Sequence, residues 1–494
     1  MGYDFEKQHQ KGKLHAVERI NLLLDKGSFQ ETYEGVQQTS LSFGLAGKEI
    51  PYDGVITGFG TIDGQTVALY AQDFTVVGGT LGNLHGQKIA ELYKKAIDIR
   101  CPVIGINDSG GARIQEGVSA LAGYGDVFMQ NVRASGYIPQ ISIIAGPCAG
   151  GAVYSPGITD FIFVIDKIGL MFITGAKVVK AAMGIETTDD DLGGSIIHAQ
   201  KSGVAHFRYH GEEQCYRDVR KLLSYIPHRI GDNAPARRFQ FAQSKIKSIG
   251  SVIPGSRKQG YDIRKIIDAV IDDDPFFEVH AEFAQNIVVG FAYIEGRLTG
   301  IIANQPACLG GIADSDASDK AARFIRYCDA FNIQLLTIVD IPGFVPGLDE
   351  EKKGIIRHGA KLIYAYAEST VPKITLIVRK AYGGAYIAMC SKHLGADFVF
   401  AWDSAEIAVM GVEGAVAILF NQKRAEHRDG KDIKQLQDDY EKTYMTPKIA
   451  AERGYITGVI VPEETRPKIA WGFRILESKK PRGAIGKKHG NIPL

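Results

Sequence analysis

The sequence predicts an α/β fold built twice in tandem, each copy a stack of ββα or βα units around a buried sheet. Three observations predict it: an internal repeat held in register, short Val/Ile-rich runs alternating with helical patterns, and a paired-glycine turn late in each copy. Val55-Ile-Thr-Gly-Phe-Gly-Thr-Ile-Asp-Gly-Gln aligns with Ile287-Val-Val-Gly-Phe-Ala-Tyr-Ile-Glu-Gly-Arg. The shift that pairs Gly58 with Gly290 also pairs Gly64 with Gly296, Asp108 with Asp340 and Gly111 with Gly343. A shift one residue longer pairs Pro139 with Pro372, Gly150 with Gly383, Gly151 with Gly384 and Ala152 with Ala385. Upstream, Leu24-Asp25 and Phe29-Gln-Glu31 echo Ile271-Asp272 and Phe276-Phe-Glu278.

Each copy runs through its elements in the same order. A hairpin comes first, with turn chemistry at Asp63-Gly64 and at Glu295-Gly296 between β-rich runs. An amphipathic helix follows, from His85 to Ile97 in the first copy and from Ala317 to Phe331 in the second, with apolar positions every three or four residues. A buried strand, Pro102-Val-Ile-Gly-Ile-Asn or Gln334-Leu-Leu-Thr-Ile-Val, then ends in a glycine loop. A second one, Gln140-Ile-Ser-Ile-Ile-Ala or Lys373-Ile-Thr-Leu-Ile-Val, runs into the paired-glycine turn and a new helix. The glycines of Gly58-Phe-Gly-Thr-Ile-Asp-Gly64 flank hairpin strands and do not open a helix, which excludes a dinucleotide loop. Residues 207–260 are polar and proline-punctuated and read as a linker, and the basic tail from Lys479 is expected to wrap the surface.

The chain has 494 residues, which the repeat divides into two domains, expected at 1–250 and 251–494. A net charge of +1 gives no reason to expect nucleic acid. The six cysteines show no C-x-x-C pair and read as reduced thiols, and Cys148 in its glycine turn reads as small-residue packing. No signal peptide, myristoylation match or membrane-span run is present, so a soluble cytoplasmic protein is expected.

Gly146-Pro-Cys-Ala-Gly-Gly-Ala-Val-Tyr follows a strand and opens a helix, as does Ala381-Tyr-Gly-Gly-Ala-Tyr. Glycine there admits positive φ and close ligand approach, and helix N-termini leave N–H groups unpaired. Two such donors aimed at one point form an oxyanion hole, each worth about 3–4 kcal/mol in a dry site. The loop Asn107-Asp-Ser-Gly-Gly-Ala-Arg-Ile-Gln-Glu-Gly117 contains the Asp-Ser-Gly-Gly of trypsin-like proteases. Those need a His and an Asp around the Ser on an all-β fold, whereas here the surroundings are βα units and the repeat partner of Ser109 is Ile341. A backbone loop shaping a ligand site, from Gly110, Gly111 and Ala112, fits better, with Arg113 available for a phosphate or carboxylate. No metal motif, Walker loop, biotinyl-lysine tripeptide or general-base constellation is evident. Two oxyanion holes without an acid–base pair suggest two enolate-like charges, with one substrate supplying its own base.

These residues closely resemble the carboxyltransferase subunits of biotin-dependent acyl-CoA carboxylases, of the propionyl-CoA/methylmalonyl-CoA type, and the related decarboxylase α subunits. The resemblance rests on Gln72-Asp-Phe-Thr-Val-Val-Gly-Gly, the Asn107–Gly117 loop, Gly146-Pro-Cys-Ala-Gly-Gly-Ala-Val-Tyr-Ser-Pro and Lys201-Ser-Gly-Val-Ala-His in the first half. In the second half it rests on Asp316-Ala-Ser-Asp-Lys-Ala-Ala-Arg-Phe, Asp340-Ile-Pro-Gly-Phe, Gly354-Ile-Ile-Arg-His-Gly-Ala-Lys, Arg379-Lys-Ala-Tyr-Gly-Gly-Ala-Tyr and Lys487-Lys-His-Gly-Asn-Ile-Pro-Leu. It implies two tandem crotonase-like ββα superhelix domains, the first on the acyl-CoA side and the second on the biotin side. It implies that Gly150 and Gly151 hold the thioester enolate, and that Gly384 and Ala385 hold the ureido oxygen of biotin. Biotin, carried as carboxybiotin on a separate protein, would supply the base, and no metal is implied for this subunit. The implied partners are a biotin carboxylase and a biotin carrier subunit, or the membrane subunits of a sodium-pumping decarboxylase. A homo-hexamer, a trimer of dimers with active sites between subunits, is the implied assembly.

Two positions depart from the family pattern. Ala176 stands where proline is common, and Ile387 follows Gly-Gly-Ala-Tyr where propionyl-CoA carboxylases resemble one another in having Asp. Ile387 either bears on acyl-chain choice or only packs. A non-catalytic CoA-binding assembly is the third reading, and the intact turns in both halves argue against it.

Overall fold

The computed structural model describes residues 5–37, 45, 47, 50–232, 234–419, 430–479 and 487–493. The chain divides into two compact units, Met1–Ala234 with Ile485–Pro493 and Pro235–Ala484 with Leu494. Each is built on one eight-stranded mixed sheet.

The first unit contains β1 (Gln30–Thr32), β2 (Val55–Ile62), β3 (Gln65–Gln72), β4 (Val103–Ser109), β5 (Gln140–Ala149), β6 (Phe161–Ile165), β7 (Leu170–Phe172) and β8 (Phe207–Tyr209). The second contains β9 (Phe277–Val279), β10 (Ile287–Ile294), β11 (Arg297–Asn304), β12 (Gln334–Ile341), β13 (Lys373–Tyr382), β14 (Phe398–Trp402), β15 (Glu406–Ala408) and β16 (Gly458–Ile460). The strand orders are β1-β2-β3-β4-β5-β6-β8, with β7 on β5, and β9-β10-β11-β12-β13-β14-β16, with β15 on β13. The first three strands of each sheet are antiparallel and the rest parallel.

The predicted hairpins are present with two-residue turns, in which Asp63 and Gly64, and Glu295 and Gly296, all have positive φ. An aspartate caps each turn from outside the hairpin. Asp25 accepts from the N–H groups of Asp63 and Gly64, and Asp272 from those of Glu295 and Gly296. An arginine from a late helix then bridges the aspartate to a nearby carbonyl. Arg220 reaches Asp25 and Leu23 O, while Arg466 reaches Asp272 and Val270 O. The duplication therefore extends to the helices Glu212–Tyr225 and Thr465–Ile475. Both predicted amphipathic helices form, at Asn83–Ile99 and Ser315–Ala330, and each buries a lysine in backbone carbonyls: Lys88 at Tyr52 and Val55, and Lys320 at His280, Phe283 and Ile287.

The linker expectation is corrected. β8 pairs with β6, and the helix Glu212–Tyr225 buries Val219, Leu222 and Leu223, so residues 207–225 belong to the first unit. Ile246 and Ile249 pack into the second unit's core, so the division falls at Ala234/Pro235 rather than at 250/251. The described part of the tail, 487–493, lies on the first unit, with Asn491 buried against Ser135 and Asp160. No described helix is long and apolar enough to cross a membrane.

Candidate active site

Both paired-glycine turns sit where a long central strand meets a helical turn. β5 ends at Ala149 and the 3-10 turn Gly150–Val153 begins at once; β13 ends at Tyr382 and the helix Gly383–Ala388 begins. Gly150 has φ 58° and Gly383 has φ 60°, a left-handed conformation that lets the chain reverse within one residue. The next N–H groups, in the first helical turn, have no intrahelical acceptor. The repeat superposes Gly150 on Gly383 and Gly151 on Gly384. The two expected donor pairs, Gly150–Gly151 and Gly384–Ala385, are therefore one residue apart in register.

The two turns differ in what lies against them. A Cβ on Gly151 would lie 3.2 Å from two ring carbons of Tyr124, whereas one on Gly384 would meet nothing within 4 Å among the described residues outside its own turn. Gly384 is exposed, and Ile387, one turn along the same helix, is 44% exposed. The second turn is thus an open cradle with an apolar residue at its rim.

Beneath each turn lies a buried aspartate at the strand end, Asp108 on β4 and Asp340 on β12. The counter-charges come from different places. Asp108 receives Lys13 Nζ at 2.7 Å and Arg19 Nη1 at 2.9 Å, and Arg19 also donates to Ala145 O at 2.7 Å. Asp340 receives Arg379 Nε at 2.8 Å and the Tyr261 hydroxyl at 2.9 Å. Arg379 occupies the position of Gly146, where a Cβ would fall 1.8 Å from Asp108 Oδ1. Burial pushes the Asp340 carboxyl up, and Arg379 opposes that shift. The repeat paired the two aspartates; the counter-ions, arriving from unrelated segments, left no sequence signal.

The loop after β4 is zipped to the Gly78–Leu81 segment. Gly110 N–H donates to Gly78 O, Leu81 N–H to Gly111 O and Arg113 N–H to Leu81 O, while Gly111 N–H donates to Ser109 Oγ. The amides of Gly110 and Gly111 are thus committed within the protein. Arg113 corrects the sequence expectation of a ligand-facing guanidinium. It is fully buried, paired with Asp53 and, at 2.9 Å, with Glu116, and it donates to Thr80 O at 2.9 Å. Burial raises the Asp53 pKa, and the Arg113 charge counters that rise. Arg113 anchors the loop through these pairs.

Ser109 and Cys148 are both fully buried, and burial pushes the Cys148 thiol up, so neither presents a nucleophile. Among the described residues no group of three or more His, Cys, Asp or Glu could hold a metal ion.

A repeated crotonase-type sheet with a glycine turn at the end of each central strand defines a class, and a family model for the carboxyl transferase domain matches residues 7–492. The chain belongs to that family and is a biotin-dependent acyl-CoA carboxyltransferase with two tandem crotonase-like domains. It is 50% identical over 490 residues to the methylmalonyl-CoA decarboxylase subunit alpha of Veillonella parvula, covering 99% of this chain and 95% of the relative. It is 49% identical over 490 residues, with the same coverage, to the propionyl-CoA carboxylase, carboxyltransferase subunit, of Haloferax mediterranei. The crystal structure of transcarboxylase 12S with methylmalonyl-CoA and methylmalonic acid bound matches with a TM-score of 0.95 at 45% identity, over 99% of this chain and 94% of that one.

Proposed function

We propose that this chain moves a carboxyl group between carboxybiotin on a separate carrier protein and the α-carbon of a short acyl-CoA, with propionyl-CoA and methylmalonyl-CoA as the substrate pair. The observation that carries the reading is the pair of equivalent turns, one closely backed and one open, each opening a helical turn after a left-handed glycine. In this reading the Gly150 and Gly151 N–H groups hold the thioester oxygen as the α-carbon loses its proton. The Gly384 and Ala385 N–H groups hold the ureido oxygen. Biotin, when bound, brings the CO2 unit and the base, which fits a site whose serine and cysteine are buried. The open surface around Gly384 fits a planar ureido ring, since no described side chain comes within 4 Å of a Cβ placed there.

The family resemblance, and the hexamer assembly described for transcarboxylase 12S, support a homo-hexamer in which the first unit of one copy meets the second unit of another. Apolar exposure supports burial in an assembly. The helix Val118–Ala134 leaves Val118, Leu121 and Met129 at 78, 61 and 55% exposure, and the helix Ile355–Glu368 leaves Ile356 and Tyr364 at 77 and 62%.

The physiological direction has a second reading, decarboxylation within a membrane complex, favoured by the Veillonella parvula relative. Partners that co-purify decide it: a biotin carboxylase supports carboxylation, and a multi-span membrane subunit supports decarboxylation. The chemistry itself is tested by decarboxylation of methylmalonyl-CoA and malonyl-CoA with free biotin. Biotin-dependent turnover that favours methylmalonyl-CoA is expected, and no turnover of either thioester refutes the reading.

A further inference from the structure

We propose that Tyr124 is a positioning residue for the acyl-CoA half of the reaction: its ring sets the place of the Gly151 N–H. The proposal rests on the reading of Gly150–Gly151 as the thioester oxyanion site.

The three atoms nearest to a Cβ on Gly151 are all Tyr124 ring carbons, at 3.2, 3.2 and 3.4 Å. The flat face of the ring therefore lies directly against the turn backbone. Tyr124 is 4% exposed and is held from behind by Phe128, with ring centroids 5.7 Å apart; Phe128 in turn meets Tyr154 edge-on at 6.1 Å. The Tyr124 hydroxyl is buried beside Ser109 without a completed hydrogen bond. Ser109 Oγ accepts the Gly111 N–H at 3.2 Å. A Cβ on Gly111 would lie 2.8 Å from Ala149 O, the carbonyl just before Gly150. Tyr124 and Gly111 thus lie against the two residues that flank Gly150, namely Gly151 and Ala149.

Among the described residues the second unit shows no counterpart to this support. None of them outside the turn lies within 4 Å of a Cβ on Gly384, and Ile341 stands at the position of Ser109. The asymmetry matches a division of labour in which the acyl side is preorganised and the other turn stays open. A rigid backing matters because an oxyanion donor acts through its fixed placement.

The test uses the full-length oligomer and biotin-dependent decarboxylation of methylmalonyl-CoA. Tyr124→Leu is expected to lower kcat about 10- to 100-fold, with KM for acyl-CoA and for biotin moving less than about threefold. Tyr124→Phe, which keeps the ring, is expected to restore kcat to within about threefold of the parent. Tyr124→Met serves where the leucine variant does not yield folded oligomer, since its flexible side chain fills irregular gaps and lacks the flat face. Unchanged kcat in the leucine or methionine variant, or a phenylalanine variant as poor as either, overturns the proposal. Gly151→Val separates the two readings. If it is inactive while Tyr124→Leu is fully active, only the role of Tyr124 falls; if it is fully active, the oxyanion assignment falls as well.

Discussion

Substitutions at the second glycine turn separate backbone strain from ligand exclusion. Gly383 sits at φ 60°, where an L-residue costs about 1–2 kcal/mol. A Cβ there would also lie 3.0 Å from Val409 O, which places Gly383→Ala toward the upper end of that cost. Gly384 carries neither burden: its φ is not left-handed, and among the described residues no atom outside its own turn lies within 4 Å of its Cβ position. Replacing it with alanine removes unfolded-state freedom and is expected to stabilise the protein by about 0.4–1 kcal/mol. If biotin approaches this turn, the added carbon occupies the space of the ligand. Gly384→Ala is then a stabilised but impaired enzyme, and Gly384→Val loses at least about 100-fold in kcat/KM for biotin, the scale of a lost oxyanion donor. Thermal unfolding and biotin-dependent decarboxylation, run on the same preparations of all three variants, check this. A Gly384→Val enzyme with parent-like kcat/KM for biotin refutes the argument, because a ligand held by that turn could not ignore a side chain placed in it.

Two further outcomes follow from the ion pairs. Arg113→Met leaves the Asp53 and Glu116 carboxylates buried without their cation, so chemical denaturation should show a loss of about 3–5 kcal/mol, while KM for acyl-CoA in the folded enzyme stays within about twofold. A large rise in KM without loss of stability would instead return Arg113 to the ligand. Asp25 titrates below its usual range because of the Gly64 N–H first, then Arg220 and Thr61. Its stabilising contribution is present above the unfolded value near about 3.9 and is lost as pH falls through the lower folded value. Asp25→Asn should therefore lower stability at pH 6–8 and flatten the acid limb of the stability curve below about pH 4; an unchanged acid limb contradicts this role.

Much of the architecture was legible because it rests on local periodicity. The Asp63-Gly64 and Glu295-Gly296 turns, the strands from Val103 and Gln334, and the helices around Ile89 and Phe324 all carry their signal within a few residues. The region after residue 207 was misread because polar composition hid the buried face of the helix Glu212–Tyr225, whose apolar residues are spaced for packing against the sheet. Arg113 was misread for a related reason. Beside glycines an arginine suggests an anion site, and only the return of Asp53 from a distant segment, with Glu116 beside it, shows that its charge is already paired. Tyr124 carried no signal at all, since a tyrosine in an amphipathic helix looks like ordinary core.

By itself the sequence determined the duplication, the order of strands and helices, and the two turns that require glycine, because each of these depends on residues close in the chain or on matched spacing between copies. It also carried the family. Tertiary structure decided what makes the two turns unequal. The Tyr124 ring behind Gly151, the cations from Lys13 and Arg19 beneath one turn and from Arg379 beneath the other, and the open space around Gly384 all depend on which distant segments meet. Packing and charge pairing are set by proximity in space, and no spacing rule along the chain encodes them.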